Sequence, residues 1–273
     1  MTAARHPTVI VLAPSHDRGA VAVARTAAAR RGAGAVHLVT PSELAGARGW
    51  THAVDARGGV TGDVVLRSGT VLAPDAIGCV LNRCFAVAAP AFARAQPRER
   101  DYAAAEMHAL VVSWLAGLGH PVINRAETML GSISRRQWLM RAIATGIPVV
   151  RDVVATSASL VPAELRDRVT VRGPWPDTRL VDRQPVEAGD AAVPPFVDVL
   201  VAGDRVHGEL PLALQRRCVE LARGAGYALL QLSFAARGPQ LRLAHVDPMP
   251  PLLDQVAVDA VAGLLERSVA SPP

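Results

Sequence analysis

The chain reads as an α/β protein: a parallel-sheet half first, then an antiparallel α+β half. Three observations predict this. The first forty residues alternate a short apolar run, an Ala-rich amphipathic stretch and a second apolar run, the rhythm of a strand–helix–strand unit. Longer segments repeat apolar residues at spacings of 3 and 4 and end on glycine, as helices do. From residue 196 onward, two pairs of apolar runs meet across Gly203-Asp204 and Arg237-Gly238, the signature of hairpins.

In chain order, "TVIVLAP" (8–14) is a buried strand and "SHDRGAVAVARTAAARRGAGA" (15–35) a helix closed by Gly32 and Gly34. "AVHLV" (35–39) is the second strand, and "TPSEL" places a proline and an acid where a helix N-terminus favours them. "DVVLRSGTVLAPDAIGCVLNRC" contains a hairpin through Ser68-Gly69, a turn at Pro74-Asp75 and an apolar strand around Val80 and Leu81. Residues 100–120 form a helix, with Met107, Leu110, Val111, Trp114, Leu115 and Leu118 on one side and Gly117 and Gly119 ending it. "PVINR" is another strand. Residues 134–150 are a helix capped at Gly146 that delivers a strand after Pro148. Residues 157–195, rich in Pro, Asp and Arg with few apolar anchors, are expected to be the least ordered segment. A helix over 209–227 turns Leu210, Leu214, Cys218 and Leu221 inward, and a last helix over 254–268 does the same with Val258, Val261 and Leu265. The expected division is a Rossmann-like domain over 1–126, a linker subdomain over 127–195, which the family resemblance described below makes a shortened lid, and a C-terminal domain over 196–273.

The bulk numbers narrow the function. With 273 residues, 50% apolar and 19% charged, the composition is globular. No apolar run approaches bilayer-spanning length, and the N-terminus lacks a secretory pattern, so a cytoplasmic protein without a membrane partner is expected. Three cysteines, two inside apolar segments, suit buried thiols better than disulfides. The net charge of +5 is spread along the chain, and only four Phe and two Tyr offer stacking platforms, so nucleic acid is disfavoured. The sequence contains no lysine: all 29 basic residues are arginine. That excludes Schiff-base lysines and any lysine gripping a nucleotide phosphate.

Several polar positions are candidates for chemistry. His245 and Asp247, in "LRLAHVDPMP", lie two apart on a strand and so share a face. His16 and Asp17 follow the first strand at the edge where open α/β sheets place ligands, although Ser15 or Asp17 could equally cap the helix. The two asparagines, Asn82 and Asn124, each precede an arginine at a strand end, Arg83 and Arg125. Those pairs could gather over the sheet edge as a substrate groove holding a carboxylate or phosphate, or could cap turns and be solvated. Glu106 and His108 are two apart on a helix and point to different sides. There is no nucleophile elbow, Cys–His signature or CxxC zinc pattern.

The order of elements and four stretches, "VIVLAPSHDRGAVAVARTAAARRGAGAVHLVTPSEL", "LRSGTVLAPDAIGCVLNR", "SRRQWLMRAIATGIPV" and "LPLALQRRCVELARGAGYALLQLSF" with "LRLAHVDPMP", resemble the ATP-grasp superfamily. The nearest branches are the microviridin-type peptide ligases and the ribosomal-protein glutamate ligases. The likeness covers about two thirds of the chain and implies an ATP-grasp-like fold with a reduced lid. It also implies acyl-phosphate chemistry, which needs two lysines on the phosphates and acidic side chains on Mg²⁺. Here the lysine positions fall on Arg135 and Arg172. The metal Glu-x-Asn falls on His245 and Asp247, the preceding metal carboxylate on Ser233, and an expected arginine on Asp198. A His–Asp pair backed by a serine is a poor Mg²⁺ site; with a third ligand it would suit Zn²⁺ or Fe²⁺.

The resemblance therefore implies a degenerate member: a binding or accessory protein in peptide or protein maturation, with no cofactor. The alternative is a divergent active ligase joining a carboxylate to an amine or alcohol, using ATP and Mg with Arg135 and Arg172 on the phosphates. A third is a metal-dependent enzyme built on His245 and Asp247. A peptide or protein partner is expected, and a homodimer is allowed.

Overall fold

The computed structural model describes residues 7–54, 56, 60–84, 86–87, 89–125, 133–150, 196–237 and 240–270. The segment expected to be least ordered, 157–195, lies outside them.

The first sheet is parallel, in the order β2-β1-β8-β9, with β1 at Thr8–Leu12, β2 at Val36–Val39, β8 at Ile77–Asn82 and β9 at Val122–Ile123. Between β1 and β2 runs α1 (Arg18–Arg31), whose N-cap is Asp17: its carboxylate accepts from the Ala20 amide at 2.9 Å. Gly32, at a φ of 100°, lets the chain leave the helix in a conformation that a side chain would oppose. After β2, Thr40 and Glu43 form a reciprocal capping box on α2 (Pro41–Ala45), a motif that contributes about 1 kcal/mol.

Small antiparallel pieces follow. β3 (Gly49–Trp50), β6 (Val64–Val65) and β7 (Val71–Leu72) form one sheet, and β4 (Ala53–Val54) pairs with β5 (Val60–Thr61). Of these, only the Ser68-Gly69 hairpin was expected; two-residue strands are too short to show a period. The long helix α3 spans Pro97–Ala116, three residues earlier at its start than the apolar pattern suggests, because Pro97 sits at its first turn and Gln96 pairs with Glu99 as a capping box. Its Val111, Trp114 and Leu115, with Leu118 just past its end, pack with Ile10, Leu12 and Val80, and Trp50 meets Trp114 edge-on at 5.9 Å.

The second sheet is antiparallel, in the order β11-β10-β12-β13: β10 is Phe196–Ala202, β11 Arg205–His207, β12 Leu229–Arg237 and β13 Gln240–Asp247. One face is closed by α4 (Arg135–Ala144) and α5 (Leu212–Gly224), which bury Trp138, Ala142, Cys218, Leu221 and Ala222 against Leu232, Phe234 and Leu243. The C-cap of α4 is Thr145, and Gly146 follows it at a φ of 75°. Val149 then bridges Leu243 in parallel. Leu210, expected within α5, precedes it and is buried all the same.

The last helix, α6 (Gln255–Ala270), returns to the first sheet. Val258, Val261 and Leu265 join Val9, Val11, Ala20, Val23 and Cys79 in a core that also takes Leu200 and Leu229 from the second sheet. The two sheets thus share one apolar seam, and the loop between β13 and α6 crosses the start of α1. A Cβ on Gly19 would lie 2.6 Å from the Pro251 carbonyl and 2.7 Å from the Leu252 Cβ, so only glycine permits this crossing.

Gly19→Ala should therefore destabilise the protein by about 1–3 kcal/mol through overpacking, lowering the melting temperature by several degrees. Gly119→Ala, at a position with no atom within 4 Å of its Cβ, should leave it almost unchanged. A thermal melt of the two variants makes the comparison.

Candidate functional site

Side chains on the second sheet alternate between its two faces. Val197, Val199, Leu230, Leu232, Phe234, Leu243 and Val246 belong to the face under α4 and α5. On the other face Leu200, Ala202 and Leu229 are covered by the seam with the first sheet, while beyond them Asp198 and His245 are exposed and Gln231, Ser233 and Asp247 half-buried; this half is called the open face below.

The strand register lays out this open half as two rows. Asp198 pairs with Ser233, and Ser233 with His245. One step along, His207 pairs with Leu200, Leu200 with Gln231, and Gln231 with Asp247. With strands 4.7–4.9 Å apart, Asp198 and His245 stand roughly 10 Å from each other.

A β-bulge makes this alignment. Phe234 faces Leu243 while the preceding Ser233 faces His245, so Ala244 is an extra residue in β13. Leu241 and Leu243 therefore point to the core face, and His245 and Asp247 to the open one. The sequence reading was right that His245 and Asp247 share a face. A regular alternation would put His245 on the face of Leu241 and Leu243; the bulge puts it on the other.

Beside these rows lies a cleft of about 430 Å³, lined by Asp198, Leu200, His207 and Gln231 from the sheet and by Pro250–Asp254, Val256 and Ala257 from the loop and the start of α6. Asp247 turns the chain into that loop, accepting the Met249 amide at 2.7 Å. Asp254 caps α6 by accepting the Ala257 amide at 2.7 Å. Asp198 is exposed and makes no hydrogen bond or ion pair among the described residues. Burial, then the positive charges of Arg267 and Arg205, hold the His207 imidazole below its usual range, so it is neutral at pH 7.

The strand-end residues do not gather as one cluster over the first sheet. Asn82 and Asn124 are buried. Asn82 donates to the Asn124 carbonyl at 3.1 Å and accepts the Cys84 amide at 3.1 Å. Asn124, at a φ of 57°, donates to the carbonyls of Leu229 (3.0 Å) and Pro248 (2.7 Å) and accepts the Leu229 amide at 3.1 Å. Its side chain fastens the first sheet to the second. Arg83 is buried and donates through Nε to Asp17 at 2.6 Å, so Asp17 serves both as helix cap and as counter-ion. Arg125 and His16 are exposed.

Arg135 is the first residue of α4, whose buried side packs on the core face, opposite His245 and Asp247. Arg172 lies outside the described residues. Glu106 is exposed and His108 half-buried on α3, away from the second sheet. Among the described residues, no three His, Cys, Asp or Glu side chains converge as a metal site. Gln231 and His207 line the cleft without having been singled out from the sequence; their signal is the cross-strand row they share with Asp247, which only the pairing reveals.

No protein-family model and no curated protein sequence matches the chain. Solved structures do. The chain is similar to the macrocyclase MdnC of Microcystis aeruginosa MRC, solved with the precursor peptide MdnA, at a TM-score of 0.70 and 11% identity, covering 97% of this chain and 100% of that one. It is similar to the RiPP-associated ATP-grasp ligase of Chryseobacterium gregarium, solved with ADP and a leader and core peptide, at 0.72 and 11%, covering 96% and 97%. It is also similar to the ATP-grasp ligase PsnB, solved with a phosphomimetic variant of a minimal precursor, Mg and ADP, at 0.69 and 16%, covering 96% and 98%. The fold is that of the ATP-grasp ligases, as the four sequence stretches imply.

Because Asp17 both caps α1 and neutralises a buried guanidinium, Asp17→Ala should cost about 3 kcal/mol of unfolding free energy. His16→Ala, beside it and exposed, should stay within about 0.5 kcal/mol of the parent. Urea titrations of both variants test this.

Proposed function

We propose that this ATP-grasp-fold chain is a peptide-binding accessory protein of peptide maturation that does not carry out ordinary Mg-ATP ligation. One observation carries the reading: the open face of the second sheet presents Asp198, Ser233 and His245 in a row, with Asp247 beside it. A triphosphate needs its charge neutralised by cations and by metal held on hard carboxylate oxygens. The carboxylate at Asp198, unpaired among the described residues, opposes that charge, Ser233 offers a neutral hydroxyl, and His245 is a soft ligand for Mg²⁺. Asp247 is the one carboxylate in a metal-ligand position, and one of its oxygens is engaged with the Met249 amide.

A peptide as the partner is supported by the solved neighbours, several of which hold precursor peptides, and by the cleft beside the two rows. Its walls are apolar at Leu252, Leu253 and Val256, and its floor carries Asp198 and Gln231, the mixture that suits a peptide side chain with its backbone. The protein's own groups do the work: they bind and orient a segment, and no bond-making step is assigned to them.

A nucleotide at 100 times its dissociation constant would stabilise the fold by about 2.7 kcal/mol, a melting shift of several degrees. We expect less than about one degree with millimolar ATP, with or without Mg²⁺. A Mg-dependent shift of several degrees, abolished by Arg172→Ala, would replace this reading with the divergent ligase. Elemental analysis of the untagged protein should find no stoichiometric zinc or iron. One equivalent of either, released by His245→Ala, would instead establish the metal-dependent reading.

A further inference from the structure

The cleft's charge points to the chemistry of its occupant. The protein carries a net charge of +5, and all its basic residues are arginine, yet no arginine is among the described residues that line this cleft. The charged residues among them are Asp198 and Asp254. The Asp254 carboxylate is committed to the first turn of α6, whose positive end offsets its charge. Asp198 has no such partner among the described residues. His207, held neutral, adds no positive charge at pH 7; Arg205 and Arg267, which act on it, do not line the cleft. Among the described lining residues, Asp198 is thus the carboxylate left to meet a charged ligand.

Around it the surface is apolar. Leu253 is 83% exposed and Val256 65% exposed, and both line the cleft. Across the floor, the Gln231 amide offers both a donor and an acceptor to a peptide backbone.

We propose that this cleft takes a cationic peptide side chain, arginine or lysine, with the adjacent apolar residue of the same peptide resting on Leu253 and Val256. The assignment rests on the peptide-binding reading above and names the class of segment it selects. The guanidinium or ammonium group pairs with Asp198 in a partly desolvated setting, where an ion pair discriminates between partners more than it adds affinity. A segment bearing a carboxylate at that position meets Asp198 head-on and is rejected.

The test uses the whole ¹⁵N-labelled chain and three probes: acetyl-Leu-Leu-Arg-amide, its citrulline counterpart, which is neutral and of the same shape, and acetyl-Leu-Leu-Glu-amide. Amide shifts at Asp198, Gln231 and Leu253 should follow the arginine probe, with the citrulline probe binding about five-fold more weakly and the glutamate probe weaker still. Asp198→Asn should abolish the arginine–citrulline difference while leaving the melting temperature unchanged, since the side chain is exposed and unpaired. Asp198→Arg should reverse the preference toward glutamate. Equal binding of the arginine and citrulline probes, shifts confined to another surface, or no shifts at ten millimolar arginine probe would overturn the proposal. A preference of the parent protein for the glutamate probe would also overturn it, while leaving peptide binding itself intact. The nucleotide melts described above report separately on the absence of ligase chemistry.

Discussion

The arrangement of the two sheets depends on the side chain of Asn124. It makes three hydrogen bonds to the backbone of the second sheet and its exit loop, all from a position with positive φ. Each such bond contributes about 1 kcal/mol, and leaving its buried partners unpaired would cost more. Asparagine tolerates the left-handed conformation better than most residues, so one residue both ends the parallel sheet and anchors the start of β12. The Pro248 bond holds the loop after β13, and the close approach at Gly19 holds the same loop against α1. Without these fixed points the open face and the cleft beside it would have no defined shape.

The face that results is set by the bulge at Ala244. A regular strand would have turned His245 to the side of Leu243, under α4 and α5. One extra residue moves His245 and Asp247 to the open side instead and lines them up with Ser233, Gln231 and Asp198. Backbone register thereby places those five side chains on one face of the sheet. In the reading proposed above, those side chains are not the set that holds a metal and a polyphosphate. Backbone and side chains have separate consequences here: the first supports a likeness of fold at 11–16% identity, and the second argues against carrying the activity across.

Much of the architecture was legible in the sequence because its punctuation is local. Asp17, Thr40 with Glu43, and Gly146 each mark a helix end by a hydrogen bond or dihedral spanning a few residues. The bulge left a weaker trace: the apolar positions of β13 run 241, 243, then 246, a spacing of two followed by three. The Asn-Arg pairs were visible as a repeated feature, but their fate was decided by contacts far away in sequence. Asn124 meets Leu229 and Pro248, over a hundred residues on, and Arg83 meets Asp17. A pair of polar residues at a strand end reads the same whether it faces solvent or is drawn inward to join two sheets. The cleft was equally invisible, since it is made by a loop and a helix start folding back beside a sheet face.

The central claim is that the side chains on the open face, and not the fold, withhold nucleotide chemistry from this chain. Calorimetric titration of Mg-ADP into the parent protein and into a variant carrying Asp198→Arg, Ser233→Asp, His245→Glu and Asp247→Asn tests it most directly. The account predicts no saturable heat from the parent below millimolar nucleotide, and Mg-dependent binding in the variant. Micromolar, Mg-dependent binding by the parent that the four substitutions fail to strengthen would contradict it.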